Sequence, residues 1–358
     1  MRIKVALLDD DKNYLNRLSS VFSNNFSDKL EIYSFSNAEV AVSELEKNKI
    51  NVFLASETFD INTELLPVGC GFAYFVSSTG VETLRNQKTI CRFQKAELIF
   101  KEILGIYSEN VSDAISIKFE GDGNSSLITF VSASGGVGTS TAAVACAKKI
   151  ARCGKKVLYI NLEMFGSADN FFSGAGQFDL SNVIFSLKSK KSASVLKMES
   201  YVKEDASGVY FYSSPKMALD VIDLSVEDIE TLFSSIKMMN SYEFIVVDID
   251  FNFSPTVIKL LEMSQCIVCV SDGSEVSNDK FIRAYQALEV FEQQKEINIL
   301  SKLTLLYNKF SSRTGKVIDN RTIKSLGGMR VVSNADEAQI IDEMIREDIF
   351  DKIINKTI

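Results

Sequence analysis

The sequence contains no histidine, no tryptophan and only 3 prolines in 358 residues. Without imidazole there can be no Ser-His or Cys-His nucleophilic pair, no histidine metal ligand and no histidine acid–base step. Any chemistry must come from carboxylates, hydroxyls, backbone dipoles or a bound metal. Long apolar runs are missing too: no uncharged stretch reaches the ~20 residues that span a bilayer. The chain opens on a charged strand pattern from Arg2 to Leu8. A cytoplasmic protein with no transmembrane segment is expected. The 6 cysteines stand at 70, 91, 146, 153, 266 and 269. Only Cys266 and Cys269 have redox-like or zinc-like spacing, and they lie inside an apolar run that reads as a buried strand with reduced thiols.

Positive charge is also in short supply. Lys and Arg number 39 against 47 Asp and Glu, a formal net charge of -8, with a pI near 5.0. Such a field repels phosphate backbones and anionic lipid, so nucleic-acid binding is not expected. Lys188, Lys190, Lys191 and Lys197, in a Lys/Ser-rich piece from Leu187 to Lys197, read as a solvated helix face or loop. The acidic stretch from Glu343 to Asp351 is the wrong sign for a basic amphipathic helix captured by a membrane.

What is present is the balance of a folded α/β chain of about two domains, 46% hydrophobic and 24% charged. Apolar runs at 3–8, 30–35, 52–55, 73–76 and 89–93 read as strands, with helical periodicity at 14–22, 38–47 and 95–107 between or after them. That alternation predicts a small doubly wound parallel domain over 1–107. Small and polar residues then mark a linker over 108–126. A second, larger α/β domain is expected over 127–358, with a strand at 127–131, a helix at 141–151, and further strands at 156–162, 209–212, 244–248, 266–270, 303–307 and 329–332.

Between strand 127–131 and its helix runs Ser134-Gly135-Gly136-Val137-Gly138-Thr139-Ser140-Thr141. Small residues at a helix N-terminus let several backbone N–H groups converge on one anion, and the helix dipole adds attraction. Ser140 stands where a hydroxyl would ligate Mg²⁺ on nucleotide phosphates. Downstream, Tyr159 to Ser167 places Asn161 and Glu163 after a strand. Asp248 ends the apolar strand 244–248, as suits a Mg²⁺ ligand. Asn308 ends strand 303–307, and Asn334 lies in the loop 332–336.

In that order these elements resemble the ParA/MinD group of P-loop ATPases over roughly residues 126–345. The resemblance implies ATP and Mg²⁺ as cofactors. It assigns Gly135, Gly136, Val137, Gly138, Thr139, Ser140 and Thr141 to the phosphates, Asn308 and Asn334 to the base, Ser140 and Asp248 to the metal, and Glu163 to positioning the attacking water. Two lysines of the family loop are absent. Ser134 stands for the one that reaches across a dimer, and Thr139 for the one that pairs with the β- and γ-phosphates. Hydrolysis is therefore expected to be weak at most.

The N-terminal half carries Asp9-Asp10, similar to the acidic pair of flavodoxin-like receiver domains, but Ser56 occupies the phospho-acceptor position and Arg92-Phe93 the place of the usual Lys-Pro. A pseudo-receiver is expected, the rival being a metal site on Asp10 and Glu57. A degenerate receiver joined to a ParA/MinD-like domain resembles the TadZ/CpaE family of pilus-assembly proteins. That resemblance implies a homodimer at a cell pole that recruits Tad pilus or secretion machinery. A nucleotide-insensitive scaffold with a relic loop, an active ParA-like partitioning ATPase and a phosphorylated signalling protein remain alternatives.

Overall fold

The computed structural model describes residues 2–110, 125–188, 194–320 and 322–356. The chain divides into two compact units, one of residues 1–120 with 189–201, the other of 121–188 with 202–358. Of the expected linker, 111–124 lies outside the described residues, as do Lys190 and Lys191.

The first unit runs β1 (Ile3–Leu8), α1 (Lys12–Asn25), β2 (Leu30–Phe35), α2 (Ala38–Lys47), β3 (Val52–Ser56), β4 (Gly71–Val76), β5 (Thr83–Leu84), β6 (Gln87–Cys91) and α3 (Ala96–Asn110). Its six-stranded sheet has the order β2-β1-β3-β4-β6-β5. Strands β1, β3 and β4 are near-continuous apolar runs buried on both faces, as central parallel strands must be when helices cover each side. The last main strand lies at 87–91 rather than 89–93. It forms with β5 a hairpin whose two loop residues, Arg85 and Asn86, both have positive φ (50° and 61°).

The second unit comprises β7 (Ser126–Val131), α4 (Thr139–Arg152), β8 (Val157–Asn161) and α5 (Leu180–Lys188). After it the chain gives α6 (Ser194–Tyr201) to the first unit, where Leu196 joins the apolar core made by Ile99, Phe100 and Ile103 of α3. Of the lysines in this stretch, Lys188 is exposed and Lys197 half-buried, while Leu196 beside it is buried. The second unit continues with β9 (Lys203–Glu204), β10 (Tyr210–Phe211), α7 (Leu219–Ile222), α8 (Val226–Met239), β11 (Phe244–Asp248), α9 (Pro255–Met263), β12 (Cys266–Ser271), α10 (Glu275–Lys295), β13 (Leu303–Phe310), β14 (Lys324–Arg330), α11 (Glu337–Arg346) and α12 (Asp351–Lys356).

Its eight-stranded sheet has the order β14-β13-β12-β7-β11-β8-β10-β9, parallel except for the β9–β10 pair. The edge strand expected at 329–332 lies at 324–330 instead. Cys266 and Cys269 sit on β12, three residues apart and so on opposite faces, both as free thiols. Burial, only partly offset by a bond with the Ala133 backbone, pushes the Cys269 thiol up to about 12. Among the described residues no helix is long and apolar enough to cross a membrane.

Candidate nucleotide site

Strand β7 lies between β11 and β12, so the chain that leaves its C-terminal end enters the crevice where the winding of the sheet reverses. Ligands of open α/β sheets bind at such a point. The loop itself is shaped by Gly136 and Gly138, whose φ values of 76° and 84° lie in the left-handed region that favours glycine. Gly138 caps α4 without any side-chain hydrogen bond, and no acidic residue occupies the first turn. The first N–H groups of the helix remain available to an anion, and the buried, alanine-rich face of α4 fixes them against the sheet. Ser134 turns its hydroxyl inward, where it is buried and unpartnered.

Register brings the acidic cluster together. Asp248 lies directly opposite Asn161 across the β8–β11 pair. The Asn161 amide donates to Asp248 Oδ2 at 3.3 Å and to Glu163 Oε2 at 3.1 Å. Tyr159, two residues earlier and on the same face, donates its hydroxyl to Asp248 Oδ2 at 3.2 Å. Asparagine at 161 places a donor between two carboxylates where an aspartate would add a third like charge. Asp248 is fully buried, and desolvation first, then the neighbouring Glu163 charge, hold its carboxyl well above the ordinary range. Its second oxygen, Oδ1, is buried with no hydrogen-bond partner. A cation beside that oxygen would satisfy it and reverse the shift, so the donor set fits Mg²⁺.

Ser140 donates to Glu163 Oε2 at 3.0 Å, so the expected metal hydroxyl and the expected water-positioning carboxylate hold each other. Gly166 makes that fold-over possible. A Cβ there would fall 2.3 Å from Asn161 Oδ1 and 2.6 Å from Glu163 Oε2.

On the other flank of the loop, Asn308 is buried and its amide donates to the Val137 carbonyl at 2.9 Å, while its Oδ1 is buried without a partner. A Cβ on Gly138 would lie 2.4 Å from that amide nitrogen, so only glycine admits the contact. Thr139 opens α4, and the Thr141 hydroxyl donates to Glu337 of α11 at 3.1 Å. Asn334 is exposed at φ 59° in the turn before α11 and has no hydrogen bond to the loop among the described residues. Sequence reasoning missed Tyr159 and Lys309. Tyr159 reads as one more core aromatic until register places it beside Asp248. Lys309 donates to the Gly136 carbonyl at 2.9 Å.

In the first unit, Asp9 is fully buried and Arg92 Nη1 lies 3.3 Å from its Oδ2. The same guanidinium stands 3.5 Å from Asp11 and 4.3 Å from the Tyr14 ring centre. Burial raises the Asp9 carboxyl, with the Asp11 backbone N–H and Arg92 pulling against it. Ser56 is buried and accepts from the Thr58 hydroxyl at 3.1 Å. Glu57 accepts from the Ser77 N–H at 2.8 Å, and Asp10 is exposed. The acidic pocket therefore faces an arginine of its own chain.

Residues 1–108 match the family model of the TadZ-like receiver domain. The second unit has the fold of the ParA family: a ParA family ATPase from Chlorobium tepidum TLS is 17% identical over 65% of this chain and 98% of its own, with a TM-score of 0.51. A plasmid partition protein from Borrelia burgdorferi gives 17% identity over 65% and 100% of the two chains with a TM-score of 0.48. The septum site-determining protein MinD of Pyrococcus horikoshii OT3, complexed with Mg-ADP, gives 14% over 65% and 99% with a TM-score of 0.48. No curated protein matches the sequence.

Proposed function

We propose that this chain, a TadZ-like receiver domain followed by a ParA-fold unit, is an ATP-binding localisation factor of a Tad-type pilus or secretion system. It works as a homodimer whose nucleotide state controls partner binding at a cell pole, with slow hydrolysis or none. The observation that carries the reading is the pair of buried, unpartnered oxygens on either flank of one phosphate loop, Asp248 Oδ1 and Asn308 Oδ1. An unsatisfied buried acceptor costs free energy and calls for a partner. A cation would meet the first and an amino group on a nucleobase the second. Ser140 and Asp248 would hold Mg²⁺, which neutralises phosphate charge when bound.

The loop glycines and the start of α4 bind phosphate through backbone N–H groups, which need no lysine. Asn308 orients the base, and Glu163, once released from Ser140, positions a water. Titration calorimetry with Mg-ATP tests the reading: micromolar binding or tighter is expected, and no heat would leave the scaffold reading in its place. The Ser140–Glu163 hydrogen bond is the one feature that favours a scaffold, because it closes the metal position with protein groups alone. Localisation of a fluorescent fusion, with and without Gly138→Asp in the loop, separates the two. A nucleotide-controlled factor loses its polar focus in the variant, whereas a scaffold keeps it.

A further inference from the structure

Lys309 occupies a place that the chemistry of the loop leaves vacant. The loop carries no lysine of its own, since Ser134 and Thr139 stand at the two lysine positions. Among the described residues, Lys309 is the basic side chain hydrogen-bonded to it: Nζ lies 2.9 Å from the Gly136 carbonyl, and its Cε is 3.6 Å from where a Cβ on Gly138 would be. The side chain therefore runs along the loop from one positive-φ glycine to the other.

The backbone is built to present it. Register in β13 shifts between Tyr307 and Phe310, and Lys309 adopts φ 54°, left-handed for a residue with a long side chain. Its neighbours hold that conformation on both sides. Asn308 is buried and tied to Val137, while Phe310 packs against Gly273 and Gly315 and lies 5.5 Å from the Tyr307 ring. Non-glycine residues kept in this region cluster at ligand clamps and switches, where surrounding structure over-determines them. Without the kink, strand pleating would send Lys309 to the face opposite Asn308.

We infer that Lys309 is the cation of the nucleotide site, contributed by β13 in place of the missing loop lysines, resting on the Gly136 carbonyl and transferring its ammonium to phosphate oxygens when nucleotide binds. A carbonyl is a weaker acceptor for an ammonium than an anionic phosphate, so the exchange is favoured. The inference rests on the nucleotide-binding reading above.

Calorimetry on the full chain tests it with Mg-ATP and AMP as probes, on wild type, Lys309→Gln and Lys309→Arg, with melting curves to show that each variant folds. Lys309→Gln should weaken Mg-ATP binding by about tenfold to a hundredfold, the span of a lost hydrogen bond to a charged group, and weaken AMP far less. Lys309→Arg should recover most of the loss. The salt dependence of Mg-ATP affinity should be shallower in Lys309→Gln than in wild type. Equal losses for Mg-ATP and AMP, or no loss, would overturn the assignment and leave Lys309 as a brace for the loop. Wild-type protein that fails to bind Mg-ATP would remove the nucleotide reading itself.

Discussion

Arg92 and Asp9 form an ion pair at 3.3 Å in which the carboxylate is wholly buried and the arginine side chain is 11% exposed. A receiver-like pocket that keeps its acid thus carries a covalently attached cation. Removing the cation strands the charge, and breaking a buried pair costs about 3 kcal/mol or more. Arg92→Met should destabilise the first unit by that order in urea unfolding. Because the folded-state carboxyl is already raised, the folded form binds its proton more tightly than the unfolded chain, and stability falls as pH rises from the ordinary carboxylate value to the raised one. Loss of Arg92 lifts the carboxyl further, so the deficit should be larger at pH 7 than at pH 5. An equal deficit at both pH values would mean that Arg92 acts through its packing on Tyr14.

The same pocket should resist phosphorylation. A buried serine hydroxyl already engaged by Thr58 is a poor nucleophile. Incubation with acetyl phosphate and Mg²⁺ should leave the intact mass unchanged. A stable gain of one phosphate, lost in Ser56→Ala, would return the domain to the working receivers.

In the second unit, Asp248→Asn should separate stability from binding. Asparagine keeps an acceptor for Tyr159 and Asn161 and takes away the carboxyl that burial and the Glu163 charge hold well above the ordinary range. The melting temperature without nucleotide should rise by a few degrees, about 1 kcal/mol in a unit of this size. The Mg²⁺ dependence of ATP binding should disappear. A variant that melts lower than wild type would show that Asp248 is not strained in the empty site.

Turnover is the last test. Phosphoryl transfer depends on charge placed around the γ-phosphoryl group, and an arginine supplied there is worth roughly 10³–10⁵ in rate. With Lys309 alone in place of two loop lysines, wild type should be slow in single-turnover hydrolysis, Thr139→Lys faster, and Glu163→Gln without residual turnover but with ATP affinity retained. A wild-type rate matching ParA-like ATPases would contradict the account of the loop.

The sequence made the site's strands legible because they are buried parallel strands, where apolar runs are longest and end at chemistry. Phe244–Asp248 and the approach to Asn308 are examples. Edges were harder. The strand at 324–330 contains Gly327 at φ 112° beside Gly328, whose Cβ would fall 2.6 Å from the Tyr307 side chain, so close packing against a neighbour replaced the apolar pattern. The Thr83–Gln87 turn uses Arg85 and Asn86 at positive φ without a glycine to announce it. Lys309 was illegible for another reason: a kink, not its place in the alternation, aims it at a loop 173 residues away.

The excursion of the chain through α6 changes what counts as a piece of this protein. A polypeptide ending near residue 110 includes every strand of the first sheet, yet lacks the segment that brings Leu196 into the core shared with Ile99, Phe100 and Ile103. Severed there, the receiver-like half would present a bare apolar stripe to water and tend to self-associate. Its boundary is a property of three dimensions, and a stop codon cannot reproduce it.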